Sequence, residues 1–345
     1  MSISTKPWTR QQTPKRILAI RLQAMGDVAI TLPYLQALRN NLPKNTQIDL
    51  LTRKEVDAIP RSIFLFDNIY SIGGKRNFKK QFIYCVLLLP KILWRRYDVV
   101  IDLQNNLISK LVRQITLPKA WSEFDRFSQT AAGERTRQTI EKINLCNIQA
   151  CINFTIRNSN AENILLRYGW NETDSLIIIN PAGAFKTRNW AIENYASFMQ
   201  LWLSRLPRTQ FLILGTELIA TKADYLKNIF NDKLINLVNK TNAAEAFAIV
   251  QKAKFVLSED SGLMHFAWVS GIPTLALFGS TKSDWSTPLG NHTKLLSSSD
   301  LSCGNCLLEN CKFGDTHCLT RYTPEFVFES AMNLLSSISS GGISE

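Results

Sequence analysis

The chain predicts an α/β protein made of two parallel-sheet domains, and three observations carry that expectation. Short, continuously apolar segments recur in the second half: "SLIIIN" (175–180), "QFLILG" (210–215), "LINLV" (234–238), "KFVLSED" (254–260) and "PTLALFG" (273–279). Helical stretches at about 191–206, 219–230, 242–252 and 261–271 alternate with them. A strand that is apolar at successive positions has both faces covered, which is the pattern of a parallel sheet between helix layers. Finally, 345 residues, 45% of them apolar and 20% charged, are enough for two globular domains with separate cores.

The first half has the same alternation with longer insertions. "RILAIRL" (16–22) reads as a buried strand followed by a turn and a helix reaching about residue 40. Pro33 is expected to kink that helix or to start a second piece capped by Thr31. "QIDLLT" (47–52) and "YDVVIDLQ" (97–104) are further strands. Between them, "GGKRNFKKQFIYCVLLLPKILWRRYD" is apolar and bracketed by basic residues. It fits an amphipathic helix with a cationic rim, suited to an anionic membrane face, or an ordinary core helix, which burial statistics favour. The polar stretch "TIRNSNAE" (155–162) is the expected linker, and "SSISSGGISE" a Ser/Gly-rich tail. Domains of 1–157 and 158–323 follow.

Charge separates the halves. Residues 1–150 hold 24 basic against 11 acidic side chains, whereas residues 151–345 hold 16 against 17. Spread evenly, the net charge of +12 would speak only of solubility; concentrated in one half, it predicts an anionic partner there. No apolar run reaches the roughly 18 residues that span a bilayer. The start, "MSISTKPWTRQQTPKR", lacks the apolar centre of a signal peptide. Both predict a cytoplasmic protein. Cys85, Cys146 and Cys151 are isolated and expected to be buried. Cys303, Cys306, Cys311 and Cys318, with His317 beside the last, form C-x2-C-x4-C-x6-C. That spacing is too compressed for a standard zinc ribbon, so a Zn²⁺ set stands as the alternative to free thiols.

Three stretches follow strands, where open α/β sheets bind ligands. In "SEDSGLMHFA" (258–267), Ser261 and Gly262 let a phosphate approach the free N–H groups of a helix beginning near Leu263. Asp260 suits sugar hydroxyls, since it would repel phosphate. A plain N-cap explains the same residues, and His265 fits equally as a satisfied helix residue. In "NPAGAFKTRNW" (180–190), Ala182 and Gly183 allow close backbone approach, and Lys186 and Arg188 are positioned to clamp a diphosphate or to face solvent. In "AIRLQAMGDVAITLP" (19–33), Asp27 stands in the field of a helix start. There it could take a proton late, as an attacking hydroxyl acidifies, or simply cap the helix. Gly26 leaves room for a sugar beside it. The sequence lacks G-x-G-x-x-G after the first strand, a G-x-x-x-x-G-K-[ST] loop and H-E-x-x-H. No Asp-x-Asp pair stands near the phosphate-compatible loops, which favours chemistry without a metal.

As a set, "ILAIRLQAMGDVAITLPYLQALR", "INPAGAFKTRNWAIENYASFM", "EDSGLMHFAWVSGIPTLALFGST" and "CGNCLLENCKFGDTHCLTRYTPEFV" resemble glycosyltransferase family 9, the bacterial heptosyltransferases of lipopolysaccharide core synthesis. The resemblance implies a GT-B fold, with two Rossmann-like domains facing across a cleft: an N-terminal acceptor domain and a C-terminal nucleotide-sugar domain. A last helix at about 324–337 would pack back on the first. It makes Asp27 the catalytic base, places Arg188 where the family usually carries Lys, and aligns Asp260, Ser261, Gly262, Leu263 and His265 with a D-[ST]-G-x-x-H donor motif. The implied reaction is inverting, metal-independent transfer of heptose from ADP-heptose, with no cofactor, to a hydroxyl of the anionic lipopolysaccharide core at the inner face of the inner membrane. Nucleic acid is not an expected partner. The alternatives are the same fold with another nucleotide-sugar or acceptor, a nucleotide-sugar epimerase, or a non-catalytic nucleotide-sugar or lipid-binding protein. Residues 54–150, which would choose the acceptor, carry no matching motif.

Overall fold

The computed structural model describes residues 4–157 and 159–341, which form two compact units dividing after residue 158, inside the polar 155–162 stretch. The first unit runs β1 (Thr5–Lys6), β2 (Arg16–Ile20), α1 (Met25–Asn41), β3 (Gln47–Arg53), α2 (Ala58–Ser62), β4 (Asn68–Ile72), α3 (Phe78–Trp94), β5 (Val99–Asp102), α4 (Leu107–Thr116), β6 (Ala120–Glu123) and α5 (Ala132–Glu141). Its sheet has the order β1-β6-β5-β2-β3-β4. All pairs are parallel except β1 with β6, an antiparallel edge of two residues that the apolar pattern did not predict.

The second unit runs α6 (Ala161–Arg167), β7 (Ser175–Asn180), α7 (Ile192–Arg205), β8 (Thr209–Gly215), α8 (Ala220–Phe230), β9 (Leu234–Val238), α9 (Ala243–Val250), β10 (Phe255–Glu259), α10 (Gly262–Val269), β11 (Thr274–Leu277), α11 (Ser283–Ser286), β12 (Thr293–Leu296), α12 (His317–Thr320) and α13 (Pro324–Gly341). Its sheet is parallel throughout, in the order β12-β11-β10-β7-β8-β9. Counted within the unit this is 3-2-1-4-5-6, the doubly wound order, in which strand order reverses between β7 and β10. In the first unit the same reversal falls between β2 and β5.

Three elements can be set against expectation. Pro33 lies inside one continuous α1, which is buried from Val28 to Leu35 and packs on α5, so no second piece capped by Thr31 forms. Packing of the buried helix holds it through the missing N–H, and Cys151 N–H donates to the Pro33 carbonyl (3.0 Å). The basic-rimmed segment is the helix α3, but not the ordinary core helix favoured above: Cys85 and Ile92 are its buried residues, and most of its large apolar side chains are exposed. The apolar face of the last helix, α13, lies in the second unit's core. Val327, Phe328, Ala331 and Leu334 recur at helical spacing and pack on α7. The Phe328 ring lies 6.3 Å from Phe198 and 6.2 Å from Trp202. Of the isolated cysteines, Cys85 is buried as expected, while Cys146 and Cys151 are half-buried. The last four residues of the Ser/Gly-rich tail lie outside the described residues.

Candidate functional site

A doubly wound sheet opens a crevice at the carboxyl ends of the two strands where its order reverses, because the connections there leave to opposite faces. In the first unit those strands are β2 and β5. The chain after β2 leads into α1, whose N-cap is Ala24 with no side-chain cap bond, so Asp27 is in the first turn and does not cap the helix. Its Oδ1 instead accepts from Arg21 Nη2 at 2.8 Å. Arg21 is almost fully buried and also donates to the Leu103 carbonyl just beyond β5. The Asp27 carboxylate is one-third exposed, and Oδ2 has no hydrogen-bond partner among the described residues. The ion pair therefore aims one oxygen and leaves the other available. Gly26, next to it, is buried.

The loop after β5 closes the crevice. Asp102 is fully buried and accepts from the N–H groups of Gln104 (3.0 Å) and Asn105 (2.7 Å), while Gln104 Oε1 accepts from Leu22 N–H (2.9 Å). Burial raises the Asp102 pKa, against these donors. A second cation comes from α5, which packs on α1. Arg135 donates to the Asp125 carbonyl (3.0 Å), and its guanidinium and that of Arg21 both lie against the Phe124 ring, at 5.0 and 4.8 Å. Burial first, and then the Arg21 charge, lower the Arg135 pKa. Arg21, Gln104 and Arg135 were missed from sequence because only the fold brings them to one crevice, with Arg21 and Gln104 tying strand ends 82 residues apart. The signal that could have found them is the polar run "DLQNN" at the end of the strand predicted over 97–104.

In the second unit the reversal lies between β7 and β10, and the two phosphate-compatible loops are the ones that leave these strands. Asn180, the last residue of β7, donates to Ser258 Oγ (2.7 Å) and Ser261 Oγ (2.6 Å), tying the strand ends together. Ser261 is the N-cap of α10, accepting from Met264 N–H at 3.4 Å. Gly262 is exposed at the helix start, and a Cβ built there meets nothing within 4 Å. No packing among the described residues requires this glycine. Leu263 is half-buried beside it. His265 is one turn further on and buried; its Nδ1 accepts from Trp268 Nε1 (3.0 Å), which assigns the ring proton to Nε2.

Arg188 and Asp260 are brought together directly, at 3.2 Å, and both are largely buried. Asp260 also accepts from Thr281 Oγ1 (2.9 Å) and Ser286 Oγ (3.4 Å), and the Arg188 guanidinium lies 4.9 Å from the Phe185 ring. Lys186, in the same short 3₁₀ turn, is exposed and forms no ion pair among the described residues. Behind the loop, fully buried Glu259 accepts from Gly183 N–H and Trp190 N–H, both at 2.6 Å. Burial pushes its carboxyl up to about 7, opposed by the Lys222 charge. Lys222 Nζ donates to the Pro181 carbonyl (2.7 Å) and to Asn189 Oδ1. Gly183 is needed by this loop itself: a Cβ would overlap the Arg188 carbonyl and lie 2.9 Å from Glu259 Oε2.

The four clustered cysteines line a cavity of about 30 Å³ together with Asp315 and His317. All are free thiols, and burial, then its neighbours Cys311, Cys306 and Cys303, raise the Cys318 pKa. Among the described residues no group of three or more His, Cys, Asp or Glu is arranged to hold a metal ion.

Comparison with known proteins bears on the family and the fold. Residues 153–317 match the family model described as glycosyltransferase family 9 (heptosyltransferase). The chain is 25% identical to lipooligosaccharide heptosyltransferase 2 of Campylobacter jejuni subsp. jejuni serotype O:6 over 325 residues, 90% of this chain and 96% of that protein. Among solved structures, it is similar to a family 9 glycosyl transferase from Veillonella parvula, with a TM-score of 0.76, 19% identity, and coverage of 94% of this chain and 97% of that one. It is also similar to the E. coli ADP-heptose lps heptosyltransferase II, with a TM-score of 0.69, 16% identity, and coverage of 94% and 99%. Both likenesses give the two-domain GT-B fold.

Proposed function

Because the chain belongs to glycosyltransferase family 9, we propose that it moves a heptose from ADP-heptose to a hydroxyl of the lipopolysaccharide inner core, with inversion and without a metal. The observation that carries this reading is the division of labour between the two crevices. One holds a carboxylate with a free oxygen beside buried cations; the other holds a cation and an open helix start. Asp27 Oδ2 takes the proton of the acceptor hydroxyl as that oxygen attacks the anomeric carbon and the bond to the ADP phosphate breaks. Arg21 holds the carboxylate in place, and Arg135 adds positive potential that suits a phosphorylated acceptor. The N–H groups at the start of α10 and the Arg188 guanidinium stabilise the charge that develops on departing ADP. Ligand atoms closing on the helix start account for a glycine at 262 that the fold does not require.

The donor assignment is supported by the named activity of the E. coli relative, and a lipid-linked anionic acceptor suits the basic first half. Such an acceptor implies peripheral contact with the cytoplasmic face of the inner membrane. No helix among the described residues is long and apolar enough to cross a membrane. Incubation with ADP-heptose and truncated lipopolysaccharide is expected to release ADP, and Asp27→Asn to cut the rate by about a thousandfold while the fold persists. Equal ADP release from both proteins would remove Asp27 from the chemistry; none from either would sink the donor–acceptor pairing.

A further inference from the structure

The outward side of α3 is apolar in a way that folding does not explain. Cys85, Leu88, Leu89 and Ile92 form the stripe that packs into the first unit's core. With 3.6 residues per turn, a second stripe runs along the opposite side through Ile83, Leu87, Pro90 and Trp94, in steps of four, three and four. Ile83, Leu87 and Trp94 are 58%, 70% and 80% exposed. Beside them, between α3 and α4, Phe78, Phe82, Leu107 and Leu111 line a shallow groove of about 550 Å³ with Lys110 on its border. A contiguous apolar face of this kind marks an interaction site.

Charge surrounds the stripe. Between Asp67 and Asp98 the chain carries seven basic side chains and no acidic one. Lys79 and Lys80 stand at one end of α3, and Lys91 and Arg96 at the other; all four are exposed, and none is in an ion pair among the described residues. Apolar residues facing out between cations, with an exposed Trp at one end, are the arrangement of a helix lying in a membrane interface.

We infer that this face of α3 seats the first unit on the surface of an anionic bilayer, with Ile83, Leu87 and Trp94 among the upper acyl carbons and the basic rim at the lipid phosphates. The inference rests on the proposed lipid-linked acceptor and deepens it by naming the face that meets the lipid. Charge decides the occupant: a second copy of the chain would set exposed cations against exposed cations, whereas anionic headgroups neutralise them.

The full chain is to be sedimented with vesicles of phosphatidylcholine alone and with vesicles that are about one-third phosphatidylglycerol. It is expected to bind the anionic vesicles, less so as salt rises, and to leave the neutral ones. The Ile83→Ser/Leu87→Ser/Trp94→Ser variant changes only exposed side chains, so it should keep its circular dichroism and melting temperature while binding falls about tenfold or more. Lys79→Gln/Lys80→Gln should weaken binding and flatten its salt dependence. Wild-type protein that ignores anionic vesicles, or a triple variant that binds as well as wild type, would overturn the inference. So would a triple variant that turns a dimer into a monomer with vesicle binding unchanged, since the face would then belong to a second copy. Transfer to a lipid-free, water-soluble acceptor should be the same in wild type and triple variant. Loss of that transfer in both proteins tells against the proposed reaction, separately from any vesicle result.

Discussion

Glu259 couples the shape of the loop after β7 to a proton. Its two carboxylate oxygens take the N–H groups of Gly183 and Trp190, one on each side of the turn that carries Arg188. Its carboxyl, fully buried, is raised from an ordinary value of 4.5 to about 7. A carboxyl raised in the folded state binds more protons folded than unfolded between those values. This group therefore favours folding most below about pH 4.5, and its contribution is lost as pH rises towards 7. Glu259→Gln should remove that slope, so that urea unfolding of wild type relative to the variant loses up to about 3 kcal/mol between pH 4.5 and 7.5. Parallel pH profiles for the two proteins would show that the proton sits elsewhere. Asp27 differs in kind: its partner Arg21 is buried, but one of its oxygens is unclaimed, so it serves the site more than the fold.

At the scale of elements, two glycines in the same crevice separate architecture from binding. Gly183→Ala forces a methyl group into the Arg188 carbonyl and the Glu259 carboxylate, so the loop must open. It should cost about 2 kcal/mol or more of stability as well as nucleotide binding. Gly262→Ala meets only open space at the first turn of α10 and should leave the melting temperature within about 2 °C, while weakening ADP binding about tenfold. Thermal melts and calorimetric titration of both variants check the contrast, which fails if Gly262→Ala binds ADP like wild type. The elements bearing these residues were legible in the sequence, because β7, β8, β10 and β11 are unbroken apolar runs and α10 has an evident Ser cap. The mixed segments "NIYSI", "AWSE" and "TKLL" became β4, β6 and β12 without being foreseen, since short strands take their state from their neighbours. The outward side of α3 was hidden for another reason: an apolar helix with two opposite stripes has the composition of a core helix. Only its placement against one sheet shows which stripe is buried.

At the scale of the molecule, each unit has its own core and its own strand-order reversal. Scanning calorimetry of the whole chain should therefore resolve a transition that ADP raises and one that it does not. At 100-fold excess over its dissociation constant, ADP is worth about 2.7 kcal/mol to the unit that binds it. One transition moving as a whole would mean that the units unfold together. The pairing of Arg188 with Asp260 has a further consequence, for turnover. In the proposed reaction the donor's diphosphate must displace an anion that the protein itself supplies, and when ADP is spent the same carboxylate is there to reclaim the guanidinium. In that reaction the ion pair would hold Arg188 between turnovers, so part of the affinity for ADP would be forgone and product would leave faster than from a bare cation.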